Sequence, residues 1–229
     1  MSTVQPQPTK AKKRPPRGDR LLLHGVSWES YIRVGRAFQD RRLRMTYDRG
    51  TLEIMTVSPK HERSKHLLGQ LIVALAYELG MDIAGFGNMT FKRRRKKRGL
   101  EPDECYWIQN EGIMRGKQEY DPRNDPPPDL VLEVEVSRSA LNRLEIYLAL
   151  GVPEVWRWDG TTITVHLLDQ NGTYVVSDHS RAFPSFRPVE LVPFLGMAPT
   201  QGERKMVQAF RDWVRDQAAR GWPSSTATP

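Results

Sequence analysis

The sequence predicts an α/β domain in which helices flank a central mixed β-sheet. Three observations carry that expectation. Apolar residues recur at helical spacing in four separated segments, with strand-like alternation between them. The two kinds of segment interleave along the chain instead of segregating, which is the order that packs helices against a sheet. One strand, PPPDLVLEVEV at 126–136, has an unbroken aliphatic face, as an interior position requires.

Residues 1–19, MSTVQPQPTKAKKRPPRGD, hold too little apolar surface to order themselves and read as a disordered basic arm. The main folded domain is expected over 20–200, a C-terminal amphipathic helix over 201–219 and a second disordered tail over 220–229. SWESYIRVGRAF (27–38) reads as a helix capped by Ser27, with Tyr31, Val34 and Phe38 roughly on one face. RLRMTYD and TLEIMTV alternate on either side of Arg49-Gly50 and predict a hairpin whose turn uses Gly50 at positive φ. A helix over 59–79 follows, with Leu67, Leu68, Leu71, Ile72, Leu75 and Leu79 as its buried stripe and Gly80 ending it.

Short strands are expected near 82–86 and 89–93, then a strand over LEPDECYWIQ (100–109). The triple proline fixes an extended entry to the acidic strand. SALNRLEIYLALG (139–151) predicts a helix ending at Gly151, and PEVWRWD, TTITVHLLD and TYVVSD predict a meander turning at Asp159-Gly160 and Asn171-Gly172. The last helix, about 202–219, carries Met206, Phe210, Trp213 and Val214 and is expected to dock on the domain or on a second copy.

The net charge is +8, with pI ≈ 9.7 and mean hydropathy −0.58. A basic excess favours an anionic partner, most simply nucleic acid, because neutralising phosphates releases condensed counterions. The charge is concentrated in a run of seven residues, Lys92, Arg93, Arg94, Arg95, Lys96, Lys97 and Arg98, closed by Gly99. The single cysteine, Cys105, excludes a disulfide framework within the chain and fits a small apolar position in a strand; a cytoplasmic location is consistent with it. No stretch approaches the ~20 apolar residues of a membrane span. The five histidines, His24, His61, His66, His166 and His179, show no metal-ligand spacing, and Trp156 and Trp158 alternate as core residues would.

The chemistry points to the acidic strand. Strand periodicity puts Asp129, Val131, Glu133 and Glu135 on one face, and Leu130, Leu132, Val134 and Val136 on the other. Carboxylates side by side raise one another's pKa and destabilise a fold unless a cation compensates. A hard divalent ion is the simplest compensation, since Mg²⁺ takes one or two carboxylates and completes its shell with water and phosphate oxygens. Asp103 and Glu104, in EPDECY, are a second source of carboxylates, and Glu62, in the first turn of the leucine-striped helix, is a third.

Four segments in order, GTLEIMTVSPKHERSKHLLGQLI, RGLEPDECYWIQNE, DPPPDLVLEVEVS and LNRLEIYLALGVPEVWRWDG, resemble the Uma-two (Uma2) family of restriction endonucleases, within the PD-(D/E)XK nuclease superfamily. The resemblance covers roughly residues 27–195. It implies a restriction-endonuclease-like core that hydrolyses phosphodiester bonds of DNA with Mg²⁺ (or Mn²⁺). By position, Glu62 matches the helix acid, Asp103 the Pro-Asp aspartate, Asp129 the aspartate that opens PPDL, and Glu133 the acid of the (D/E)XK element. The metal is then expected on Asp103, Asp129 and Glu133, with Glu62 and Glu135 holding water or a second ion.

The sequence departs from the superfamily pattern two residues after Glu133, where Glu135 replaces the lysine. The resemblance implies that Arg143 of the following helix supplies the cation, with Lys65 a second candidate. Arginine cannot serve as a general base, but it can stabilise a developing phosphate charge. The basic run would grip the phosphate backbone near the site. A homodimer would let two sites meet both strands of a duplex. The alternative reading is a nucleic-acid-binding protein of the same fold that does not cut.

Overall fold

The computed structural model describes residues 19–38, 43–87, 89–135 and 139–222. The expectations for 1–18, for 136–138 and for 223–229 lie outside the described residues. The chain is mixed α/β, as predicted, but its strands form two sheets where the sequence suggested one.

The first sheet is built early. β1 (Arg20–Leu23) is followed by α1 (Trp28–Phe38), β2 (Leu43–Asp48) and β3 (Thr51–Thr56). Ser27 caps α1 as predicted, its Oγ accepting from Ser30 N at 3.1 Å. The β2–β3 turn takes positive φ at both Arg49 and Gly50, the geometry a two-residue hairpin needs to match strand twist. Then come α2 (Pro59–Glu78), β4 (Ala84–Gly85), β5 (Phe91–Arg93) and β6 (Arg98–Leu100). The order in this sheet is β1-β3-β2-β6-β5, antiparallel throughout.

The second sheet takes β4 and the rest of the chain. β7 (Glu104–Trp107), α3 (Glu111–Met114), β8 (Leu130–Val134), α4 (Arg143–Leu150), β9 (Glu154–Trp158), β10 (Ile163–Leu168) and β11 (Tyr174–Ser177) follow in sequence. The order is β11-β10-β9-β8-β7-β4, and only β8 and β9 run parallel, joined through α4. The chain ends in α5 (Val192–Leu195), α6 (Ala198–Gln201) and α7 (Glu203–Ala219).

Three predicted boundaries change, each for a local reason. The segment expected as one strand over 100–109 is β6 and β7, which belong to different sheets. Pro102 has no amide hydrogen for a ladder, and Asp103 commits its carboxylate to the backbone of β8. Among the described residues the acidic strand is regular over Leu130–Val134, with Glu135 N still donating to Trp158 O at 2.7 Å. The helix expected from 139 begins at Arg143 because the preceding turn is held elsewhere: Ala140 N donates to Glu53 Oε1 at 2.7 Å and Ser139 Oγ donates to Glu53 Oε2.

The core lies on both faces of the second sheet. Leu130, Leu132 and Val134 pack with Leu68, Leu71 and Leu75 of α2 and with Trp156 and Phe210. Val131, on the opposite face, packs with Cys105, Trp107, Ile146 and Tyr147. α7 docks on α2, where Glu203 accepts from Gln70 Nε2 at 2.9 Å and Glu78 pairs with Arg215 at 2.7 Å and with Arg211. Among the described residues no helix is long and apolar enough to cross a membrane.

Candidate active site

Alternation along β8 places the centre. With Leu132 and Val134 committed to the α2 side, Glu133 turns toward α4 and the first sheet, and only 2% of its surface is exposed. Asp103 sits in the bend where the chain leaves β6 for β7, equally buried. Its Oδ2 accepts from Val134 N at 2.7 Å, which fixes the bend beside Glu133. β2 sends Arg44 in from the first sheet, and α4 presents Arg143 and Tyr147, four residues apart and so on one helix face.

These side chains form one buried network. Arg44 spans the two acids, with Nη1 at 2.9 Å from Asp103 Oδ1 and Nη2 at 3.1 Å from Glu133 Oε2. The other oxygen of Glu133 accepts from Arg143 Nη2 at 2.5 Å and from the Tyr147 hydroxyl. Arg143 also donates to Thr46 Oγ1 and to the Glu101 carbonyl, both at 2.6 Å, and Arg44 donates to the same carbonyl at 3.0 Å. His61 brings Nε2 to 3.0 Å from Asp103 Oδ1 and Nδ1 to 3.2 Å from Glu62 Oε1. Glu62 is about half exposed at the first turn of α2, and Lys65 lies between it, at 3.5 Å, and Glu104, at 3.8 Å.

Burial pushes the Asp103 carboxyl up, but the Arg44 guanidinium, His61 and the Val134 N–H outweigh it and hold it below the ordinary aspartate range. Burial raises Glu104 against the pull of Lys65, with the Asp103 and Glu62 charges adding to the rise. Burial also lifts the Tyr147 hydroxyl well above its usual value, helped by the Glu133 charge, so it stays a donor. A depressed carboxyl stabilises the fold above its unfolded value and loses that contribution as pH falls through the folded one. Urea titrations should therefore show stability dropping on acidification below the ordinary aspartate value of 3.8. Asp103→Asn should flatten that acid arm; an unchanged arm would remove Asp103 as its source.

The structure brings Asp103, Glu133 and Arg143 together and connects Glu62 to them through His61. Two other predicted residues stand apart. Asp129, expected as a metal ligand, accepts from Ile108 N at 2.7 Å, Asn110 N at 3.0 Å and Asn110 Nδ2 at 2.6 Å. It anchors the turn after β7, about 13 Å along the strand from Glu133 at strand rise. Glu135 lies past the end of β8, where its carboxylate pairs with Arg157 on the wall of a polar cavity of about 730 Å³. That cavity is also lined by Asn142, Arg143, Thr164 and His166.

The basic run forms the β5–β6 hairpin, with a 3-10 turn at Arg94–Lys96 and Lys97 at positive φ. Arg98, expected to grip phosphate, is instead committed to Asp48 at 2.8 Å and to the Glu145 carbonyl at 2.9 Å. Arg94 pairs with Glu29 at 3.0 Å, Arg93 is half-buried, and Lys92, Arg95, Lys96 and Lys97 are exposed.

The donor chemistry of the pair fits a hard divalent ion. Two carboxylate oxygens, Asp103 Oδ1 from the β6–β7 bend and Glu133 Oε2 from β8, converge on the Arg44 guanidinium, and Mg²⁺ takes one or two carboxylates. Among the described residues no group of three His, Cys, Asp or Glu side chains is arranged for a metal, so water would complete any shell.

Sequence reasoning missed Arg44, His61, Tyr147 and Glu53. Arg44 and Glu53 sit in ordinary alternating strands, where nothing local marks them. His61 has no partner at ligand spacing, because its partner is Asp103, distant in sequence. Tyr147 reads as core from the helical stripe, although its place four residues after Arg143 is a usable signal.

Among solved structures, one described as "a putative nuclease belonging to DUF820", from Anabaena variabilis, aligns over 74% of this chain and 90% of its own, at 13% sequence identity and a TM-score of 0.42. No curated protein matches the chain. A family model, Uma2, described as "Putative restriction endonuclease", matches residues 28–200. The match spans every residue of the Asp103–Glu133 network, and the chain belongs to the Uma2 family.

Proposed function

We propose that this protein is an endonuclease that hydrolyses phosphodiester bonds of DNA with Mg²⁺ or Mn²⁺ at Asp103 and Glu133. One observation carries the reading: two buried acids, thirty residues apart in sequence, one from the β6–β7 bend and one from β8, meet on a single guanidinium, with an arginine from the next helix on the Glu133 carboxylate. A divalent ion bound there supplies a water of lowered pKa and polarises the scissile phosphate.

The chain's own residues do the rest. Arg143 holds Glu133 and is one of the residues that line the polar cavity, and its permanent charge would offset charge growing on phosphate oxygens brought beside it. Tyr147, held protonated, donates to the same Glu133 oxygen that Arg143 holds. Glu62 is half exposed with the half-buried Lys65 beside it, and the pair would orient water. Lys92, Arg95, Lys96 and Lys97 give a solvent-facing basic tip for the phosphate backbone, contributing affinity without sequence choice.

Incubation of the purified chain with supercoiled DNA, single-stranded DNA and RNA, with and without Mg²⁺ or Mn²⁺, tests the reading. Metal-dependent cleavage of DNA is expected. Replacing Arg95, Lys96 and Lys97 with alanine should weaken DNA binding and shallow its salt dependence, the log–log slope falling by about 0.9 for each phosphate no longer neutralised. An unchanged salt slope would place the DNA-binding surface elsewhere.

A second reading has one observation in its favour. Arg44 and Arg143 already balance the two acids, which suits a protein that binds DNA without cutting it. Strong DNA binding that is indifferent to metal, with no cleavage, would select it.

A further inference from the structure

The paired acids that would ligate metal are already neutralised from within. Asp103 and Glu133 bring two negative charges, and Arg44 and Arg143 bring two positive ones. No net negative charge is left over among these four to draw a divalent ion, and the oxygens facing each other between the acids are occupied by one guanidinium. A guanidinium stays protonated in proteins, so Arg44 cannot yield its place by losing a proton. It can yield only by moving.

Two features identify Arg44, and not Arg143, as the one that moves. The Arg44 side chain is 14% exposed, against 9% for Arg143 and 2% for each acid, so it has the most direct route to solvent. Each arginine has four partners, but Arg44 alone touches both acids: it contacts Asp103, Glu133, His61 and the Glu101 carbonyl, whereas Arg143 contacts Glu133, Thr46, Tyr147 and that same carbonyl and leaves Asp103 free of it. Each arginine also buries an Nε–H without a hydrogen-bond partner among the described residues. An orphaned buried donor is unfavourable. The acids therefore hold Arg44 inside against a penalty that its release would relieve.

We propose that Arg44 is a displaceable internal cation that occupies the divalent-ion position, so that metal and Arg44 exclude each other and Arg44 sets the affinity of the site. The proposal rests on the reading that Asp103 and Glu133 are the metal ligands. It makes two states of the centre: one closed by Arg44, and one in which the side chain has swung out and both carboxylate oxygens face the ion.

Calorimetric titration of the full chain with MnCl₂ tests this without any cleavage assay. Arg44→Gln should bind Mn²⁺ at least about tenfold more tightly than the native chain, a difference of about 1.4 kcal/mol. The gain should vanish in the Arg44→Gln/Asp103→Asn double variant. Equal affinity in the native chain and Arg44→Gln, or a gain that survives Asp103→Asn, overturns the proposal. Should Arg44→Gln not fold, Arg44→Lys serves: an ammonium cannot bridge both acids as the fork does, so Mn²⁺ binding should again tighten, and unchanged affinity again overturns the proposal. The result separates from the cleavage reading. Tighter Mn²⁺ binding without cleavage by any variant keeps Arg44's role and removes the nuclease. Cleavage with Mn²⁺ affinity unmoved by Arg44 does the reverse.

Discussion

Glu133→Ala is expected to destabilise the fold by about 3–5 kcal/mol, the usual cost of removing one partner from a buried charge network. The size follows from what the carboxylate serves. Oε1 receives both Arg143 and the Tyr147 hydroxyl, and Oε2 receives Arg44. Removing it leaves Arg143 charged and almost wholly buried, and strips the tyrosine of its acceptor. It also cuts one of the ties between α4 and β8. Glu133→Gln keeps the shape and an acceptor oxygen, so it should lose markedly less. Urea unfolding of the two variants checks both magnitude and order; equal losses would mean that packing, not charge, carries the effect.

Arg143→Ala is expected to slow DNA cleavage by about 10²–10³-fold, the range for losing one preorganised group that stabilises developing negative charge. Arg143 opens α4, lies on the wall of the polar cavity and holds Glu133 on the other side. The loss should fall on the single-turnover rate at saturating DNA and leave DNA affinity nearly unchanged. Arg143→Lys should recover much of that rate, since it keeps a cation at the same place. If Arg143→Ala cuts at the native rate, the residue is only a structural brace for Glu133.

Much of the fold could be read from periodicity. The leucine stripe of α2, the β2–β3 hairpin and the β9–β10–β11 meander each follow from patterns that span a few residues. The division into two sheets could not, because it is decided at Glu101-Pro102-Asp103 by a carboxylate that binds Val134 N thirty-one positions away. The site divides in the same way. Glu133 and Asp103 announce themselves as acids in otherwise interior segments, whereas Arg143 is reached only through what the family resemblance implies. Asp129 shares the acidic face and so looks like a ligand, but the turn at 108–110 claims its carboxylate. Arg44 and His61 become visible only when β2 and α2 close over the bend, since nothing within a few residues of either one names the partner.

The most direct test of the central claim is the single-turnover cleavage rate of supercoiled DNA in Mg²⁺ or Mn²⁺, compared between the native chain and Asp103→Asn/Glu133→Gln with folding verified by circular dichroism. Metal held at Asp103 and Glu133 requires cleavage by the native chain and none above background by the folded double variant. Cleavage by the double variant at the native rate would contradict it.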